Sequence, residues 1–167
     1  MKIFITLLLS LVIFSCSSTT VEYRSATTAL NSEKKPKEAE RYALDALEKY
    51  PNDALPAFFL ATKIYGMHNT QYSSVKNINK AVEYYYITQD IITKSENGAS
   101  QKLEAPIQYK DENGKLTQIK TIKEALDYYS YDFWFMMFNE ATDIITSNGD
   151  IDMAVDLYKK SIFFNPQ

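Results

Sequence analysis

The sequence predicts an all-α fold assembled from antiparallel helix pairs, and three features carry that expectation: composition, a repeated set of apolar spacings, and turn signals between the spacings. Only 4 Gly and 5 Pro occur in 167 residues, while hydrophobic residues make up 46% and Tyr alone contributes 13. That bias favours helices with aromatic rings packed between them. The length and apolar content suit a single domain with one continuous core.

Residues 1–15 differ from the rest. Lys2 supplies one positive charge, and Ile3 to Phe14 is apolar except for Thr6 and Ser10. A transmembrane helix needs about 20 apolar residues, whereas this shorter run suits the centre of a secretory signal peptide. Directly after it, Ile13-Phe14-Ser15-Cys16 resembles the lipobox of bacterial lipoproteins. The resemblance implies a diacylglycerol on Cys16, cleavage before it, and lipid anchoring in the cell envelope. Ser17, with no Asp in its place, implies sorting to the outer membrane, facing the periplasm. Residues 16–19 form the lipidated end and a polar tether, and the folded part is expected over 20–167. Cys16 is the only cysteine, so the core contains no disulfide and is held by packing.

Cleavage removes Lys2 alone among charged residues, leaving 17 of the 18 basic side chains against 21 acidic ones. Nucleic acid is a poor partner for such a surface. Lys34, Lys35 and Lys37 cluster, but Glu33, Glu38 and Glu40 surround them, which reads as a solvated helix entrance.

Within the folded part, Ala39, Ala43, Ala46 and Pro51 have the same offsets of 4, 7 and 12 as Ala154, Tyr158, Ser161 and Pro166. Offsets of 0, 4 and 7 fall on one helix face, where small residues let a neighbouring helix approach, and the proline ends the helix. Each set has a preceding helix: Tyr23, Ala26, Thr27 and Leu30 for the first; Phe138, Ala141, Thr142 and Ile145 for the last. Asn31 to Pro36 turns the first pair. In the last pair, Ser147-Asn148-Gly149-Asp150 supplies a stop, with Gly149 suited to a positive φ, and a restart capped by Asp150.

These spacings resemble the tetratricopeptide repeat, a helix-turn-helix unit of about 34 residues. Units are expected at 20–53, 54–94 and 135–167. In the middle unit Ala57, Leu60, Ala61 and Ile64 mark a first helix running from Ala54 to Met67. Ala81, Tyr85 and Thr88 mark a second, from about Ser74 to Lys94. It departs from the pattern, because His68 to Asn77 lengthens its turn and no proline follows Thr88. The resemblance implies a solenoid of about three repeats whose concave surface binds extended peptides or a partner's helix. Residues 95–134 form an insertion and a lead-in helix. Ile107-Gln108-Tyr109 and Leu116 to Ile119 alternate about Asn113-Gly114, which suits a β-hairpin or a loop. From Thr121 the helical pattern extends to Thr146.

No catalytic constellation is legible. One histidine, His68, and one cysteine preclude triads and histidine-based zinc sites, and the 4 glycines form no phosphate loop. His68 reads as a helix-end residue, Asp150 and Asp152 as helix-start residues, and Asp111-Glu112-Asn113 as a turn. The expectation is a protein without enzymatic activity, cofactor or metal.

Aromatic clusters at Tyr84-Tyr85-Tyr86, Tyr128-Tyr129, Tyr131 and Phe133-Trp134-Phe135 serve either core packing or a binding surface, and Tyr84, Tyr86 and Tyr131 are the candidates for contact with a partner. The function expected is a membrane-tethered scaffold for another envelope protein. Two rivals remain open: a fragment or accessory subunit of an envelope enzyme or assembly complex, and a lipoprotein that binds cell-wall polysaccharide. The sequence stops at the proline that normally leads to another repeat, which leaves the last apolar face for a continuation or a second subunit.

Overall fold

The computed structural model describes residues 19–66 and 77–164. The apolar leader, Cys16 and most of the tether, Met67, His68, the lengthened turn to residue 76, and Pro166 lie outside the described residues. The elements are α1 (Val21–Asn31), α2 (Pro36–Lys49), α3 (Ala54–Phe59) continuing as a π-helical turn (Leu60–Ile64), α4 (Ile78–Lys94), β1 (Lys102–Lys110), β2 (Leu116–Thr121), α5 (Ile122–Thr146) and α6 (Ile151–Phe164). The fold is thus mostly helical, with one small antiparallel sheet among the described residues.

Side-chain chemistry sets the helix starts. Thr20 Oγ1 accepts from the Tyr23 amide, Asn77 Oδ1 from Lys80, and Asp150 Oδ1 from Asp152 and Met153, each satisfying amides that a helix N-terminus leaves without partners. Thr121 and Glu124 form a reciprocal capping box at the start of α5. Pro36 occupies the first turn of α2, where its missing N–H is harmless. The Glu33, Lys35 and Glu38 side chains pair in solvent at that entrance.

The helices pack in sequence, α1 on α2, α2 on α3, α3 on α4, α4 on α5 and α5 on α6. An ion pair between Glu22 at the start of α1 and Lys49 at the end of α2 shows the antiparallel sense of the first pair. First helices form one row, joined by the Tyr23–Phe59 and Phe58–Tyr129 ring contacts at 5.8 and 6.2 Å. Second helices form the other row: Lys80 on α4 lies 3.7 Å from Glu40 on α2, and Tyr86 on α4 meets Phe163 on α6 at 5.3 Å. Small residues line the helix contacts. Ala39, Ala43, Ala46, Ala57, Ala61, Ala81 and Ala154 are all fully enclosed, as the spacings predict.

Two expectations need correction. In α5 only Ala141 of the predicted stripe is buried; Phe138 and Ile145 face solvent, and Phe133, Met136 and Met137 face the core instead. The helix began 13 residues before Phe135, so its inner face is fixed by Ile122, Leu126, Tyr129 and Phe133, not by the repeat frame. In the turn before α6, Asn148 takes the positive φ of 54°, not Gly149. Gly149 serves a close approach: its amide donates to Ile144 O at 2.7 Å, and a Cβ there would lie 3.0 Å from that oxygen.

The insertion is a hairpin. Lys110 pairs with Leu116 and Ile107 with Ile119. Asp111 Oδ1 accepts from the Asn113 and Lys115 amides and Gly114 adopts a φ of 74°, so this acidic cluster makes the turn. Lys102 pairs with Thr121, which leaves residues 103–106 opposite a single residue of β2, a wide bulge that bends β1 toward the first-helix row.

Leu60 lies fully buried where α3 passes into its π-turn. Leu60→Ala is expected to lower stability by about 3 kcal/mol, as core Leu→Ala changes do, measured by urea denaturation.

Candidate functional site

The bulge of β1 closes one side of a pocket of about 410 Å³ on the first-helix row. Tyr23, Leu55, Phe58, Phe59 and Tyr129, drawn from α1, α3 and α5, supply its apolar floor, and Leu103 and Ile107 of β1 form the wall. Thr27, Asn31, Lys34, Lys63 and Glu104 stand around the floor. An apolar floor with a few polar groups around it is the usual design of a ligand site.

Gln101 fixes the wall to the helices. Its side-chain oxygen accepts from the Ala54 amide at 2.9 Å, its side-chain nitrogen donates to Asp53 Oδ1 at 3.1 Å, and its carbonyl accepts from Ile122 N–H at 2.9 Å. One residue thus joins the root of the hairpin to the starts of α3 and α5. Asp53 also caps α3 through the Leu55 amide, and burial raises its carboxyl above the ordinary aspartate value.

The electrostatics around the pocket are uneven. Desolvation by the surrounding walls holds Lys63 below the ordinary lysine value, and no ion pair engages it among the described residues. Lys34 holds a left-handed φ of 58°, a conformation that costs a non-glycine residue energy. Burial, followed by the charges of Glu104 and Asp53, raises the Tyr23 hydroxyl well above its usual range and keeps it a neutral donor. The pocket therefore offers two cations, one carboxylate and a protonated phenol around an aromatic base.

The three tyrosines proposed from sequence fall into separate aromatic groups. Tyr84 stacks on Tyr65 at 5.5 Å, beside the hydrogen bond from Tyr65 to Glu40. Tyr86 is half-buried against Tyr85, Phe163 and Phe164 between the second helices. Tyr131 is exposed and contacts Trp134 and Phe135 on α5. None of the three lines the pocket. Tyr85, between them in sequence, is buried against Phe133 and Phe164, and its hydroxyl is pushed up to about 12 by burial.

The pocket is not legible in the sequence, because its floor comes from three helices and its wall from a strand bulge. The available signal was the apolar run from Ala54 to Ala61, too continuous for a one-sided helix. Among the described residues no three His, Cys, Asp or Glu side chains converge as metal ligands, and no helix is long and apolar enough to cross a membrane. No protein family, curated protein or solved structure matches the chain.

Replacing Gln101 by Ala removes the partner of the Ala54 amide and loosens the hairpin root. Amide exchange at Ala54 and Ile122 is expected to accelerate about tenfold, the equivalent of one lost hydrogen bond, while amides of α6 are unaffected.

Proposed function

We propose that the protein is an envelope lipoprotein, anchored through Cys16 to the outer membrane, whose tetratricopeptide-like helix pairs bind a segment of another protein. The observation that carries the reading is the pocket on the first-helix row, taken here as the concave face on which the resemblance implies recognition of a peptide. An apolar side chain of the partner occupies the aromatic floor, and an acidic neighbour of that side chain meets Lys34 and Lys63. The binding energy comes from burying the anchor, and the lysines favour acidic segments and steer their approach.

Two experiments test this. The Cys16→Ser variant is expected to lose lipid labelling and to move from the membrane to the soluble fraction; unchanged membrane retention refutes the anchor. A photo-crosslinking residue at Thr27 or Lys63 of the full-length chain in cells is expected to capture one dominant envelope protein by mass spectrometry. A Lys34→Glu change, at an exposed side chain beside the pocket, should reduce that capture about fivefold. Equal capture from a control position at Glu48, on the exposed side of α2, refutes the pocket as the site.

A further inference from the structure

The last helix carries an apolar stripe that no described element covers. Ile151, Val155 and Ile162 are 55%, 41% and 61% exposed and lie on one face, with the half-buried Tyr158 among them. Along the α5 side Tyr158 packs edge-on against Phe138 at 5.3 Å and its hydroxyl bonds Thr142, so that flank is filled. The opposite flank carries Asp152 and Lys159, about two helical turns apart. Neither has an ion pair among the described residues, although their neighbours do: Lys160 binds Asp156 at 2.6 Å and Asn79 at 3.2 Å.

The stripe reads alike from both ends. In an antiparallel pair of helices, residue numbers that face each other have a constant sum. Ile151 opposite Ile162 and Val155 opposite Tyr158 satisfy the same sum, 313, so a copy of α6 turned end for end matches large apolar residues at both ends. The same register brings Asp152 within about 3 Å along the axis of the level of Lys159 on the copy, and repeats that contact by symmetry. A parallel arrangement sets Asp152 against Asp152 and Lys159 against Lys159.

The geometry points to a second copy of this chain as the occupant: the protein is a two-fold dimer through antiparallel α6 helices, with paired Asp152–Lys159 contacts. The charge arrangement selects a self-pairing over an unrelated apolar partner, which would leave both charges unmatched. No residue of this surface lines the pocket, so the dimer stands or falls separately from partner binding there.

The test is disulfide crosslinking in cells of full-length chains carrying two tags of different size. Chains with Ile151→Cys co-expressed with chains carrying Ile162→Cys are expected to give a mixed-tag dimer, at least fivefold more than either variant alone. The unsubstituted chain, which retains Cys16, sets the background. Asp152→Lys or Lys159→Asp added to both chains should each lower the crosslinked fraction about fivefold, and the double exchange should restore it to within about twofold. Absence of the mixed dimer, preferential 151–151 or 162–162 linkage, capture of a different polypeptide, or failure of the double exchange to restore crosslinking overturns the proposal.

Discussion

Everything in this fold is arranged around a helix with no side to spare. Residues from Ala54 to Thr62 are buried without interruption, so α3 meets solvent only at the pocket floor and each neighbour must cover part of it. Tyr23 of α1 and Tyr129 of α5 reach it from either side in the first-helix row, α2 and α4 pack behind, and Gln101 seals its N-terminus. Polar groups inside are satisfied locally: Thr62 donates to Phe58 O at 2.8 Å, and Pro56 is buried in the first turn, where no amide is needed.

The π-turn that ends this helix directs the second row. Tyr65 N–H reaches back five residues to Leu60 O, and the shift turns the Tyr65 ring onto Tyr84 and its hydroxyl to Glu40. Lys80 completes that cluster, lying over the Tyr65 ring at 4.9 Å and near Glu40. A one-residue irregularity in α3 thus ties α2 to α4, where the rest of the stack uses close contact between alanines.

Much of this was legible in local sequence. The alanine spacings identify the helix contacts, Asp150 identifies the start of α6, and Asn113-Gly114 marks the hairpin turn, because each is decided within a few residues; the start of α4 at Asn77, placed near Ser74 from spacing alone, was not. What depends on the meeting of distant segments was not legible. The inner face of α5 follows from its start at Ile122, far outside the repeat frame, and Asn148 rather than Gly149 takes the positive φ because Gly149 is needed for close passage over Ile144. The pocket requires a bulge whose size is set by pairing across the hairpin, and no spacing within β1 reveals it. The tyrosine clusters are legible as clusters, but the direction each ring takes is not, since adjacent residues on a helix diverge by about 100°.

The hairpin leaves the helical stack and returns to it at nearly the same point, where Gln101 O and Ile122 N–H meet at 2.9 Å. Closing a longer loop between fixed ends adds little entropic cost, so the intervening segment is free to vary in length and content while the helices keep their spacing. That makes the strand wall an exchangeable part. An engineer can graft a different hairpin between the same two anchor points, provided the graft keeps an apolar side chain where Ile119 enters the core.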